Sequence, residues 1–138
     1  MPKTKFMALI LVIISFGLTV NCQTTKIAVF VRQGGADSVG ASVAYALKED
    51  INKSNRYSLA PTKEIADFVI SLASTDIGEA HSGHRGTWSA IAVLVAKKSA
   101  CSEDWLEVIH GIQISGIQRV KETASDVLAN FDKAISAR

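Results

Sequence analysis

The chain has 138 residues, 48% of them hydrophobic and 20% charged, with two prolines and two cysteines. That length holds one domain rather than two, and the composition excludes a disordered tail, a collagen-like repeat and a low-complexity chain. The formal charge of +2 is confined to the start: setting aside Lys3 and Lys5 reduces the 15 Lys and Arg to 13, against 13 Asp and Glu. A body so balanced is not a phosphate-tracking nucleic-acid binder, which needs a basic surplus.

The mean hydropathy of +0.22 is raised by one end of the chain. Lys3 and Lys5 form a positive start, Phe6 to Phe16 is apolar except for Ser15, and small or polar residues follow from Gly17. These are the three parts of a secretory signal. The apolar run is shorter than the roughly 20 residues that span a bilayer as a helix. Residues 1–22 are therefore read as a signal peptide and residues 23–138 as a single α/β domain. Leu18-Thr19-Val20-Asn21-Cys22 resembles a bacterial lipoprotein signal, in which the cysteine becomes the lipidated first residue, although Asn21 stands where that pattern has a small residue. Cleavage after Gly17 would instead leave Cys22 an ordinary thiol, and cleavage after Cys22 would remove it. Cys101 is the other cysteine. The two can pair only if Cys22 is kept unmodified, and two cysteines give no metal-site spacing.

The body alternates strand and helix signals. Lys26 to Val31 is a β-branched apolar run, read as a buried strand that Gly34 and Gly35 end. Asp37 or Ser38 then caps a helix whose apolar face is Val39, Val43, Leu47 and Ile51, ending near Asn52 to Asn55. Arg56 to Ala60 is a short second strand, Pro61 to Ile65 a single turn, and Asp67 to Leu72 a third strand. Residues 76–87, with three glycines and two histidines, read as a long loop. Trp88 to Ala96 and Trp105 to Ile114 read as neighbouring antiparallel strands, each opened by a tryptophan. Ile117, Val120, Ala124, Val127, Leu128, Phe131 and Ile135 mark the apolar stripe of a last helix, with Lys121 and Glu122 on its wet side. Such a stripe needs a sheet to cover. The expected architecture is a two-layer α/β sandwich of order β-α-β-β-β-β-α, with a mixed sheet and two main helices.

Three stretches carry a family resemblance: Lys26-Ile-Ala-Val-Phe, the helix end running through Asn55-Arg56-Tyr57-Ser58-Leu59, and Ala66-Asp67-Phe68-Val69-Ile70-Ser71. Over residues 26–75 the chain resembles the amino-terminal domain of TolB and the related fold of CsgG-type curli-assembly lipoproteins. The TolB propeller and the membrane-crossing hairpins of a curli pore have no counterpart here. The shared motifs are structural, so the resemblance implies envelope location and protein-binding edges, with no substrate.

Candidate chemistry is sparse. His81 and His84, three apart in the glycine loop, could share a metal with His110, which stands at an even step among Leu106, Val108, Ile112 and Ile114 and is expected on their sheet face. The opposing reading is two exposed loop histidines and one hydrogen-bonded histidine on a sheet. Gly34 to Gly40 lies between a strand and a helix, where a phosphate could meet free amides, but it matches neither dinucleotide nor P-loop spacing, and a capped turn accounts for it. Ser82 and Ser89 have no orienting acid to complete a triad with the nearby histidines, and Asp76 and Glu79 could be a carboxylate pair, against the reading of a solvated loop. Trp88 and Trp105 could form an exposed platform for a partner, against packing in the core or at its rim. An open edge strand is another docking surface. No catalytic set and no cofactor is indicated. The expected protein is an exported bacterial envelope protein, periplasmic or held at the outer membrane by a lipid on Cys22, that works by contact with another envelope protein. Its competitor is a metal-binding protein or metal-dependent enzyme built on His81, His84 and His110.

Overall fold

Alternating apolar runs and two amphipathic stripes resolve into a mixed sheet covered on one side. The structure is a computed structural model that describes residues 25–137; the signal segment, its cleavage site and Cys22 lie outside the described residues. In chain order the elements are β1 (Ile27–Gly34), α1 (Ser38–Lys53), β2 (Tyr57–Leu59), β3 (Phe68–Asp76), α2 (Gly78–Ser82), β4 (Trp88–Lys98), β5 (Trp105–Gly116), a 3-10 turn (Ile117–Arg119) and α3 (Val120–Ser136). The strands lie in the order β2-β1-β3-β4-β5. β1 runs parallel to β2 and β3, and β3, β4 and β5 form an antiparallel meander. The expected α/β sandwich is therefore present.

Two local readings change. The stretch read as a long loop holds the short helix α2, and β3 continues to Asp76. The single turn over Pro61 to Ile65 is present, closed by the Ala66 amide on the Lys63 carbonyl at 3.2 Å. Ile117 belongs to the 3-10 turn ahead of α3 and is exposed, so the apolar stripe starts at Val120.

The core lies between the sheet and the two long helices. Val39, Val43, Leu47 and Ile51 of α1 are all buried, as their four-residue spacing requires. They meet Val29 and Val31 of β1, Ile70 and Leu72 of β3, and Ile91 and Val95 of β4. Phe131 of α3 is 0% exposed. Its ring centroid lies 5.2 Å from that of Tyr57 and 5.3 Å from that of Phe68, within the range of favourable aromatic pairs. Next to it in the chain, Asp132 accepts hydrogen bonds from the Tyr57 hydroxyl and from Arg56 Nη1, the latter at 2.5 Å. Burial and the Asp132 carboxylate both push the Tyr57 hydroxyl above its usual range, so it remains a donor to Asp132. The Asp67 carboxylate accepts from the Ala28 amide at 2.8 Å, which fixes the entry of β3 beside β1.

The β1–α1 turn is equally determined. The Asp37 side chain accepts from the Gly40 amide at 2.7 Å and caps α1. Gly35 has φ +103°, and a Cβ there would overlap the Ser74 carbonyl; a Cβ on Gly40 would overlap the Ser74 hydroxyl. The helix start thus rests directly on β3, and only glycine fits at either position.

Two stability predictions follow from these contacts. Phe131→Ala should lower unfolding free energy by about 3–5 kcal/mol, because it empties the centre of the aromatic trio. Lys121→Ala, on the exposed side of α3, should change it by less than about 0.5 kcal/mol. Chemical denaturation compares them, and equal effects would mean that α3 is docked otherwise. For Asp37, burial pushes the carboxyl up, but the Gly40 amide and the nearby Ser74 and Ser89 hydroxyls outweigh it and hold the group below its ordinary value of 3.8. A depressed carboxylate stabilises the fold above its unfolded value and loses that contribution as pH falls through its folded value. Asp37→Ala should accordingly cost about 0.5–2 kcal/mol at pH 7, and the gap from wild type should narrow below about pH 4. A gap independent of pH would remove the carboxylate from this role.

Candidate functional site

The two faces of the sheet are unlike. Register assigns the residues of β3, β4 and β5 to them in rows. Ile70, Val95 and Ile109 fall in one row on the helix side, followed by Leu72, Val93 and Gly111. On the opposite side Ser71 aligns with Leu94 and His110, Ala73 with Ala92 and Ile112, and Thr75 with Ala90 and Ile114. Both long helices pack on the first side, and among the described residues nothing covers the second. Ile112 is 79% exposed, Ile114 52% and Leu94 39%. Between them the small side chains of Ala73 and Ala92 leave a shallow groove of about 590 Å³, with His110 at one margin.

β5 is also the edge of the sheet. Among the described residues no strand pairs with its outer amides and carbonyls, which can accept one. Charged residues and proline, the usual guards of such an edge, are absent from Val108 to Gly116 apart from His110. An exposed apolar face and a nine-residue unguarded stretch of edge thus coincide on one side of the molecule.

A bulge decides which residues of β5 belong to that face. Pairing shifts between Val95 and Ala96, so that Val108 has no partner across the ladder. Side chains from His110 onward keep one alternation, and those before Val108 take the other. His110 therefore shares a face with Ile112 and Ile114, whereas Leu106 pairs with Lys97 on the helix side. The expectation that Leu106 and His110 share a face is corrected by this one inserted residue. The same shift places Glu107 on the open face beside His110, whose Nδ1 lies 2.5 Å from Glu107 Oε1.

The three histidines do not converge. His81 is in α2, with its ring centroid 4.4 Å from that of Trp88. His84 follows α2 and is exposed. His110 pairs with Leu94, six residues along β4 from Trp88, or about 20 Å away. Among the described residues no group of three His, Cys, Asp or Glu side chains is placed to hold a metal ion. Asp76 is occupied structurally: its carboxylate accepts from the amides of Gly78 and Gly86, both at 2.8 Å. Glu79 pairs with Arg85 at 2.6 Å. Ser82 bonds to Thr87 and the Gly78 carbonyl, and Ser89 is buried with its hydroxyl on the Thr75 carbonyl, so neither meets a histidine.

The tryptophans likewise part company, because antiparallel strands start at opposite ends. Trp88 pairs with Gly116 and covers it, while Trp105 pairs with Lys98 and lies under the Lys63 ammonium, 5.0 Å from its ring centroid. Both are half-buried, and they do not form one platform. Cys101 is exposed in the β4–β5 loop.

No protein-family model matches the chain, and no curated protein matches it in sequence. Solved structures match in fold. The hypothetical protein CT253 of Chlamydia trachomatis is 9% identical, with a TM-score of 0.52 over 83% of this chain and 100% of that one. PelC of Paraburkholderia phytofirmans, solved as a dodecamer, is 15% identical, with a TM-score of 0.47 over 84% of this chain and 91% of that one. The uncharacterised lipoprotein B of Nitrosomonas europaea is 15% identical, with a TM-score of 0.29 over 88% and 84%. At these identities the similarity is one of architecture: the chain has the mixed α/β fold that CT253 has.

Proposed function

We propose that this is an exported protein of the bacterial cell envelope that works by binding another envelope protein through the open sheet face and the β5 edge. Its export rests on the charged start and apolar core of residues 1–22, and its anchoring on Cys22 in a lipoprotein-like context. The likeness of residues 26–75 to TolB and CsgG-type proteins agrees with that location. The observation that carries the binding reading is the exposure of Ile112, Ile114 and Leu94 on the bare side of the sheet. Contiguous apolar surface of this kind, next to a free strand edge, marks protein contact sites. The partner contributes a strand or an apolar ridge that fits the Ala73–Ala92 groove.

Two outcomes are expected. Ile112→Glu should abolish recovery of the partner in a pull-down from intact cells while leaving the melting temperature within a few degrees, since the side chain supports nothing inside the fold. Unchanged recovery would take the contact away from this face. Cys22→Ser should move the mature protein from the detergent phase to the aqueous one or leave it unprocessed. An amino terminus at Leu18 or Gln23 without acyl chains, read by intact mass, would remove the lipid anchor.

A further inference from the structure

On the helix side of the sheet, the last strand is not fully covered. A cleft of about 520 Å³ lies between β5 and the carboxy-terminal half of α3, with Val93, Val95, Ile109 and Phe131 among its walls. That volume is in the range of about 300–1,000 Å³ found for small-molecule sites. The cleft has a cause in the sequence. Gly111 occupies the helix-facing position next to Ile109, where the alternation calls for a large apolar side chain, and a Cβ built there meets nothing within 4 Å. Glycine in the middle of a strand weakens it and often marks the close approach of another group. On the facing helix and just past its end, the lining residues Ala134 and Ala137 are small as well. The α3 residues that line the cleft run from Val127 to Ala134, about 10 Å of helix axis.

Among the described residues Lys133 is the cationic ammonium that lines this opening; it is exposed and takes part in no ion pair, no acidic side chain lines the cleft, and His110, also in its lining, is engaged with Glu107 at 2.5 Å. Gln113, at the cleft, has its Oε1 buried without a donor. We propose that the cleft binds a single-chain fatty carboxylate, with the acyl chain over Gly111 against Val93, Val95, Ile109 and Phe131 and the carboxylate at Lys133. An apolar trough with one cation at its rim suits a long flexible tail with one negative head, and the acyl chain replaces the side chains that Gly111 and Ala134 lack. The cleft opens toward α3 and meets the partner surface at His110 and Ile112, which line both.

The test is a calorimetric titration of the processed, delipidated protein with palmitate and with hexadecanol. Palmitate should bind saturably at one site and raise the melting temperature. Gly111→Leu, which fills the trough from its floor, should weaken palmitate binding about tenfold or more while melting no lower than wild type. Lys133→Ala should weaken palmitate severalfold and leave hexadecanol unchanged. If Gly111→Leu fails to fold, Ala134→Leu fills the same space from the helix wall and carries the same expectation. Folded wild-type protein that shows no saturable binding, or cleft-filled variants that bind as wild type does, would overturn the proposal. So would a dimer that palmitate leaves intact and Gly111→Leu dissociates, since the cleft would then hold a second copy of the chain.

Discussion

The seat of Phe131 between Tyr57 and Phe68 sets the position of everything on the helix side of the sheet. Tyr57 belongs to β2 and Phe68 to β3, with β1 between them, so one side chain of the last helix spans three strands that form early in the chain. Arg56 and Tyr57 hold the adjacent Asp132, adding polar bonds to the apolar contact. α1 packs beside α3 on the same layer and fills the space over β1, β3 and β4. α3 also meets β5, where the Thr123 hydroxyl donates to Ser115 at 2.9 Å, but a cleft opens between its carboxy-terminal half and the middle of that strand. The sheet is wider than its two helices, and β5 is the strand left partly bare on both sides.

That consequence gives β5 its character. A strand covered on one face ordinarily alternates apolar residues inward with polar residues outward. Beyond the bulge β5 does the reverse: Gly111, Gln113 and Ser115 face the helices, and Ile112 and Ile114 face outward. Slipping the register by one residue would bury both isoleucines, yet it would also expose Ile109 and break the Ser115–Thr123 hydrogen bond of 2.9 Å at the start of α3. The bulge at Val108 locks the arrangement as it stands. An outward apolar row retained in this way is surface available for contact, and the small inward residues leave the cleft beneath α3.

Much of this frame is readable in the residues. Four-residue spacing in α1, the three- and four-residue steps of α3 and the β-branched runs of β1 and β3 dictate their elements because each has a single apolar stripe or a fully apolar run. A cap of α1 at Asp37 or Ser38 and a strand break at Gly34-Gly35 are legible for the same local reason, and the structure selects Asp37. What is not legible depends on distant partners. Alternation in β5 identifies two faces but not which one meets the helices, and nothing in Val108 itself announces a bulge. The separation of Trp88 from Trp105, and of His110 from His81 and His84, is fixed by strand direction over eleven and twelve residues, which local pattern does not contain. Asp76 looks like a free carboxylate in sequence, and only the return of the chain at Gly78 and Gly86 gives it its partners.

The claim that the bare face of β4 and β5 is the working surface is tested most directly by site-specific photo-crosslinking in living cells. A photoreactive residue is placed in turn at Ile112, at Leu94 and, as a control, at Tyr45, an exposed aromatic on α1. The account predicts one crosslinked species of the same mass from Ile112 and Leu94 and none from Tyr45. Crosslinking from Tyr45 alone, or none from either sheet position, would contradict it.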